Sequence, residues 1–361
     1  MNRLEVEFAG LKLKNPVMPA AGPPIKDGPA AVAAAKGGAG AIVTKTISTE
    51  AAKVPRQNMA EIRGGFLNTE LWAEQSPEHW LEHEYPVVKG TGLPIIVGLG
   101  YTADQIESLA RKVAPFADAL ELSTHYLGDD PSPVVAAVKA AKKAVDLPVF
   151  VKLSPQIDIK LFATAAQDAG ADGLVLINSL GPCLDIDIET GKSLMGSTTG
   201  YGWMSGPAIL PVALRAVYEA YKHVDIPILG VGGISSGRDA VKMIMAGASA
   251  VQVCTAAILE GPEIYGKIAR QIEKFMEERG IESLEEIRGL AHKHQRQEDL
   301  QRWQPKIDAD LCTACGRCAQ SCVYHAIEID GYAKVDYDLC AGCGLCITRC
   351  KFGAIAPKYD D

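Results

Sequence analysis

LPIIVGLGYTADQIESLARKVAPFADALELS, residues 93–123, carries one full turn of the pattern that decides the fold. LPIIVGLG (93–100) is a short continuous apolar run, TADQIESLARKVAPF has helical spacing, and DALELS (118–123) opens the next apolar run. A strand that is apolar along its whole length, not alternately, belongs to a parallel sheet covered on both faces. The same alternation extends in both directions. Upstream lie NPVMPAAG (15–22) and GAIVTKT (40–46); downstream lie LPVFVKLS (147–154), DGLVLINS (172–179), IPILGVGG (226–233) and SAVQVCT (249–255). Ala-rich helical segments such as SPVVAAVKAAKKAV separate most of them. Eight strand–helix units in roughly 255 residues predict an α/β fold, a (β/α)8 TIM barrel. A doubly wound sheet is the runner-up, but eight units suit closure better.

The C-terminal stretch reads differently. Cys312, Cys315, Cys318 and Cys322 form C-x2-C-x2-C-x3-C, and Cys340, Cys343, Cys346 and Cys350 repeat it. This run holds [4Fe–4S] clusters in bacterial-type ferredoxins, three thiolates reaching one cluster while the fourth ligates the other. Cys350 is thus expected to complete the first cluster and Cys322 the second. Disulfides or zinc do not explain two identical four-cysteine runs. The usual proline after the fourth cysteine is replaced by Val323 and Lys351, which touches no ligand. The expected domains are a barrel over 1–280, a helical linker over 281–305 and, over 306–361, a small ferredoxin-like α+β domain with two [4Fe–4S] clusters that moves single electrons.

Composition narrows the class. The 361 residues suit one large domain plus a small one, and 48% hydrophobic content supplies a sizeable core. A net charge of −8 argues against nucleic acid. No apolar run approaches about 18 residues, so no membrane span is expected. MNRLEVEFAGLKLKNP has no apolar signal region, and eight of the ten cysteines in cluster spacing point to a reducing, cytoplasmic setting.

Barrel chemistry sits at the C-terminal ends of strands. Those ends hold Thr44-Lys45-Thr46 (strand two), Lys152 (five), Asn178-Ser179 (six), Gly232-Gly233-Ile234 (seven) and Cys254-Thr255 (eight). The glycine-rich ends before helices, after strands seven and eight, make an anion site. Lysines at neighbouring strand ends inside such a mouth are more than surface snorkels.

NPVMPAAG, TKT, LNTEL (67–71), DALEL, FVKLSP, SGPAILPVALRAV (205–217), GGI and GASAVQVCTA resemble, in order, the dihydroorotate dehydrogenase superfamily of FMN barrels. The chain is most similar to the C-terminal half of dihydropyrimidine dehydrogenases, where the same barrel precedes a two-cluster domain. The resemblance implies FMN bound by Ala21, Lys45, Thr46, Lys152, Gly206, Gly232, Gly233, Ile234, Cys254 and Thr255. The lysines would lie against the flavin ring and ribityl chain, and the last residues would hold the phosphate. It implies a substrate pocket of Asn68, Glu70, Asn178 and Ser179, with Ser123 at the position of a substrate-binding asparagine.

One loop departs. Where the family reads Asn-Leu-Ser-Cys-Pro, with cysteine or serine moving the proton, this chain has Ser123-Thr124-His125-Tyr126-Leu127-Gly128. Gapless alignment puts Tyr126 on the catalytic cysteine, with His125 beside it; a gap of one or two residues brings Thr124 or His125 there. Adjacent side chains diverge, so one of His125 and Tyr126 is expected to face the flavin. Serine matches only part of what asparagine reads, so orotate, uracil and thymine are not expected substrates.

Other features carry less. His79 and His83 suit a solvated helix rim, and the segment 180–204, with Asp185, Asp187 and Glu189, a flexible cover whose Tyr201 and Trp203 reach substrate. VGGISSG lacks the spacing of a nicotinamide site. Electrons are therefore expected to pass through the clusters to a ferredoxin, a flavodoxin or an NAD(P)H-flavin subunit, in a homodimer or hetero-oligomer. The expectation is an oxidoreductase acting on a carbon–carbon bond beside a carbonyl. Alternatives are an electron-transfer subunit with FMN as relay, a dihydropyrimidine dehydrogenase with a variant loop and, poorly matched to the net charge, a barrel acting on tRNA uridine.

Overall fold

The apolar runs become eight parallel barrel strands in the computed structural model, which describes residues 3–294 and 304–357. In chain order they are Val17–Pro19, Ile42–Val43, Ile95–Leu99, Ala119–Ser123, Val149–Leu153, Gly173–Leu176, Ile228–Val231 and Ala250–Val253. Strands two to eight pair each with the next, and strand eight pairs with strand one. Between strands one and two, Gly40 N–H donates to Val17 O (2.7 Å). A Cβ at Gly40 would lie 2.1 Å from Asn15 O, so only glycine lets the two chains approach there. The outer helices begin on side-chain caps: Thr102 with a capping box, Asp158 and Ser236.

Alternation along the strands sorts their faces. Leu120, Leu122, Val149, Val151 and Leu153 point outward into the strand–helix core. Ala119, Phe150, Val175, Leu229 and Ala250 point inward and pack together. Two residues further along the same inner faces come Glu121, Lys152 and Gln252, all buried. The barrel interior is thus apolar below and polar toward its C-terminal mouth.

A hairpin, Val6–Phe8 with Leu11–Leu13, lies before strand one. Its Phe8 and Leu13 belong to the interior cluster, and Phe8 meets Phe150 edge-to-face at 4.8 Å. Phe8 therefore plugs the apolar end of the barrel. Phe8→Ala is expected to cost about 3–5 kcal/mol, the range for an emptied aromatic site. Denaturant unfolding followed by near-UV circular dichroism checks this; a loss within about 0.5 kcal/mol, the range of surface changes, would show the hairpin is a loose appendage.

A four-stranded antiparallel sheet, Leu180–Cys183, Gly202–Ser205, Gly65–Asn68 and Met59–Ile62 in spatial order, forms from two insertions after strands two and six. The segment 180–204 is therefore more than a flexible cover: its two ends are sheet strands. Gly202–Ser205 pairs with Gly65–Asn68 through Trp203↔Asn68 and Met204↔Leu67, and Leu180–Cys183 pairs in turn with Gly202–Ser205.

The chain divides into two compact units, 1–294 and 295–361. The stretch expected as a linker over 281–305 splits accordingly. Leu284 and Ile287 are buried in the barrel core, Arg288 donates to Ser249 Oγ (2.9 Å), and His292 stacks on Tyr218 at 3.9 Å. Burial of its apolar side chains ties 281–294 to the barrel; the remainder, 295–303, lies outside the described residues.

In the second unit Pro305–Ile307 pairs with Ile355–Pro357, and Ile327–Asp330 with Tyr332–Val335. Each cysteine run feeds a short helix, Arg317–Gln320 or Leu345–Arg349. Its two halves are built alike. Asp308 Oδ1 accepts from Asp310 and Leu311 N–H, and Asp336 Oδ1 accepts from Asp338 and Leu339 N–H. Both turns launch the first cysteine of a run.

Candidate active site and cysteine-lined cavities

A cavity of about 350 Å³ opens at the C-terminal mouth of the barrel. All the FMN and substrate positions named from the resemblance line it: Ala21, Lys45, Thr46, Asn68, Glu70, Ser123, Lys152, Asn178, Ser179, Gly206, Gly232, Gly233, Ile234, Cys254 and Thr255. His125 lines it too; Tyr126 does not. Tyr101, from the end of strand three, and Gln252 complete it and were not anticipated.

The buried charges come in pairs. Lys45 Nζ is 2.6 Å from Glu70 Oε2, both nearly buried, and the other Glu70 oxygen accepts from the Asn58 amide. Lys152 Nζ is 3.3 Å from Glu121 Oε1, and Gln252 Nε2 donates to Glu121 Oε2 at 2.6 Å. Gln252 Oε1 is buried without a partner. Pairing offsets what desolvating each charge alone would cost. Asn68 is also committed: its Nδ2 donates to Trp203 O and its Oδ1 accepts from Glu70 N–H, both at 3.1 Å. It ties the mouth sheet together through one N–H and one oxygen lone pair, and a second of each remains on the amide. Asn178 Oδ1 accepts Ser179 N–H (2.8 Å), which leaves the Asn178 NH₂ as a donor.

The divergent loop resolves into two orientations. His125 adopts a left-handed backbone, φ 51°, and its ring stands 5.8 Å from Tyr101 and 5.7 Å from Trp203. Tyr126 turns outward, 6.1 Å from the Phe162 ring, and packs against the strand–helix core. This corrects Tyr126 as the candidate proton donor: the backbone turn at His125 sends the next side chain away from the cavity. Burial, and then the Lys152 ammonium, lower the His125 imidazole from 6.5 to about 4. Burial pushes Tyr101 up to about 12 and raises the Cys254 thiol, so both keep their protons.

The cavity fits FMN by three observations. Gly233 has φ 76° and no room for a side chain, since a Cβ would sit 2.6 Å from Leu210 N. Its loop leads into the helix Gly237–Ala246, an arrangement that accepts a phosphate. Two lysines offer positive charge, and the orphaned Gln252 Oε1 offers an acceptor to a ring N–H.

In the second unit the thiols surround two cavities. One is lined by Cys312, Cys315, Cys318 and Cys350; the other by Cys322, Cys340, Cys343 and Cys346. Ala333 N–H donates to Cys312 Sγ and Ala326 N–H to Cys322 Sγ, each at 3.4 Å, contacts that stabilise thiolates holding a cluster. Among the described residues no three His, Cys, Asp or Glu side chains converge on a point that would hold a single metal ion. Thiols spaced around a cavity suit a multi-iron cluster, in which each thiolate binds its own iron.

The lesser candidates have structural roles. His79 meets Glu84 (2.8 Å), whose other oxygen accepts Gly28 N–H, and His83 is exposed. Asp187 closes a turn by accepting from Glu189 N–H and Thr190 Oγ1. Cys183 is half-buried in the mouth sheet.

Comparison with known proteins agrees with this geometry. Residues 3–276 match the dihydroorotate dehydrogenase family, and residues 293–354 match a 4Fe-4S dicluster domain. The chain is 39% identical over 302 residues to the catalytic subunit of a dihydroorotate dehydrogenase B (NAD(+)) from Methanothermobacter thermautotrophicus, a match covering 80% of this chain and 98% of that one. The corresponding subunits of Thermococcus kodakarensis (38%, 80% and 98%) and Pyrococcus abyssi (37%, 80% and 99%) are similar. About a fifth of this chain thus lies beyond its alignment with each of these relatives. A parallel eight-stranded barrel with lysines and glycines at its strand ends, followed by paired cysteine runs, belongs to the dihydroorotate dehydrogenase family of flavin oxidoreductases acting on CH–CH bonds, here joined to a 4Fe-4S domain.

Proposed function

We propose that the barrel holds one FMN and the second unit two [4Fe–4S] clusters, and that the protein exchanges a hydrogen pair with a carbon–carbon bond beside a carbonyl. FMN, when bound, supplies the conversion between a hydride pair and single electrons. The observation that carries the reading is the convergence of Lys45, Lys152, the Gly232–Gly233 turn and His125 on one cavity. In this reading the backbone around Gly206, Gly232, Gly233 and Thr255 holds the phosphate. Lys45 and Lys152, held in place by Glu70 and Glu121, favour negative charge on the ring. Asn178, Ser179 and Ser123 orient the substrate carbonyl. His125 is neutral above about pH 4, so its imidazole takes a proton from the substrate carbon in the dehydrogenation direction and returns it in reverse. The relatives are named for dihydroorotate; in this reading the departure at 123–126 points to a different substrate.

Electrons pass between the clusters and a ferredoxin, a flavodoxin or an NAD(P)H-flavin subunit. Two runs of cluster-spaced cysteines suit a reducing, cytoplasmic compartment. Anaerobically purified protein is expected to hold one FMN and about eight irons per chain, four per cluster. Iron near half that number, or zinc in its place, would remove the two-cluster reading; absence of flavin would remove the barrel reading.

A further inference from the structure

The second unit is an internal duplication, so its two thiol-lined cavities can be compared position by position. Residues 305–327 repeat as 333–355, with Asp308 answering to Asp336 and Cys312 to Cys340. The first cavity is that of Cys312, Cys315, Cys318 and Cys350; the second is that of Cys322, Cys340, Cys343 and Cys346. Cluster type, solvent exposure, hydrogen bonds to sulfur and nearby charge together set a cluster's reduction potential. The first three are matched here. Both runs have the same spacing. Cys315 and Cys343 are exposed, Cys318 and Cys346 are buried, and the other four are half-buried. Each cavity has a backbone N–H on a thiol, from Ala333 to Cys312 in the first and from Ala326 to Cys322 in the second.

Charge and polarity are not matched. Thr313 and Arg317 line the first cavity, where the equivalent residues of the second are Ala341 and Leu345. Cys350, which closes the first cavity, is followed by Lys351; Cys322, which closes the second, is followed by Val323. Among the described residues no charged side chain lines the second cavity. The acidic residues do not reverse the difference. Asp308 and Asp310 have counterparts in Asp336 and Asp338, and Asp330 pairs with Lys334. Glu328 stands between Ile327 of the second cavity and Ile329 of the first, so it favours neither. A permanently charged guanidinium and a hydroxyl donor beside a cluster stabilise its reduced form, which carries one more negative charge.

We propose that Arg317 and Thr313 give the first-cavity cluster the higher reduction potential of the two, so that a lone electron in this protein rests there. This rests on the proposed function, which supplies the two clusters, and sets their order of filling. Oxidation of one reduced flavin releases two electrons, one for each cluster. When only one has arrived, it is held beside Arg317, and the second-cavity cluster, walled by apolar side chains, is the stronger reductant.

The test is a dithionite titration of the full-length, anaerobically purified protein, with iron measured first and reduced clusters followed by EPR. Cys343→Ala leaves the first-cavity cluster alone and Cys315→Ala leaves the second alone, however the fourth thiolate is wired. The cluster in Cys343→Ala is expected to take up an electron about ten-fold more readily than that in Cys315→Ala, which is about 59 mV for a one-electron couple. Two exchanges then assign the cause. Arg317→Leu with Thr313→Ala should weaken reduction of the first-cavity cluster roughly three- to ten-fold and leave the other unmoved. Leu345→Arg with Ala341→Thr should strengthen reduction of the second by a similar factor. All four positions are exposed, so the exchanges leave the core intact. Equal or reversed potentials overturn the inference, as does an Arg317→Leu, Thr313→Ala protein whose potentials are both unchanged. Should a cysteine variant lose both clusters, the exchanges decide in the otherwise unaltered chain: the first must lower the higher potential and the second raise the lower one. Iron near four per chain in the unaltered protein would instead count against the proposed function.

Discussion

His125→Gln is expected to slow turnover roughly 10²–10⁴-fold while leaving FMN bound and chemically reducible, the share of a positioned general acid or base. His125 is the titratable side chain that the divergent loop presents to the cavity; Tyr126 is turned against Phe162. Glutamine keeps the size and a hydrogen bond but cannot carry the proton. The pH profile gives an independent reading. The imidazole is pushed from 6.5 to about 4, first by burial and then by Lys152, so the neutral base form persists down to that pH. Dehydrogenation should therefore be flat from pH 7 to about 5 and fall only as pH drops through about 4. Its acid limb should vanish in His125→Gln. Tyr126→Phe should change the rate less than about three-fold, within what loss of a non-catalytic hydroxyl allows. An unaltered rate in His125→Gln would move the proton to Ser123 or Tyr101, the neighbouring hydroxyls of the cavity. A large loss in Tyr126→Phe would mean the loop refolds when substrate binds.

The loop also shows where the sequence stopped being legible. That one of two adjacent residues must face away follows from strand-end geometry; which one depends on the left-handed backbone at His125, a property of the folded loop. The barrel was readable because strands buried on both faces must be apolar throughout, and the site because barrel chemistry gathers at strand ends. DALEL held a further signal: Glu121 is a charge within such a strand, and a charge there requires a partner, which Lys152 and Gln252 supply from the inner faces of two other strands. The mouth sheet was opaque, since Gly65–Asn68 and Gly202–Ser205 pair across more than a hundred residues and neither is strongly apolar. That pairing also engages Asn68, which lines the cavity and at the same time ties the sheet together, a second task the motif does not reveal. Glu70 shows the same limit: the motif marks the residue, and only its contacts with Lys45 and Asn58 show that it acts as a fixed charge.

Removing one cysteine should destroy the cluster of the other motif. Cys322 belongs to the first run by sequence, yet it lines the cavity of Cys340, Cys343 and Cys346, while Cys350 joins Cys312, Cys315 and Cys318. The crossing follows from the chain path. In each run the first three cysteines sit in a loop and at the start of a short helix, and the fourth follows that helix at its far end, beside the other run. Cys322→Ala is therefore expected to reduce iron from about eight to about four per chain, and Cys350→Ala to do the same. Double variants separate the two wirings without any spectral assignment. If the fourth thiolate crosses, Cys322→Ala with Cys340→Ala strikes one cluster twice and leaves about four irons, whereas Cys322→Ala with Cys312→Ala strikes both and leaves almost none. If each run holds its own cluster, the two results exchange places. The functional consequence is larger than the loss of iron. Reduction of the flavin by substrate should persist in Cys322→Ala, because Lys45, Lys152 and His125 are untouched. Transfer to a one-electron acceptor through the second unit should fall at least about a hundred-fold if both clusters carry the electron in series. Retention of that transfer with half the iron would mean that one cluster suffices as the exit.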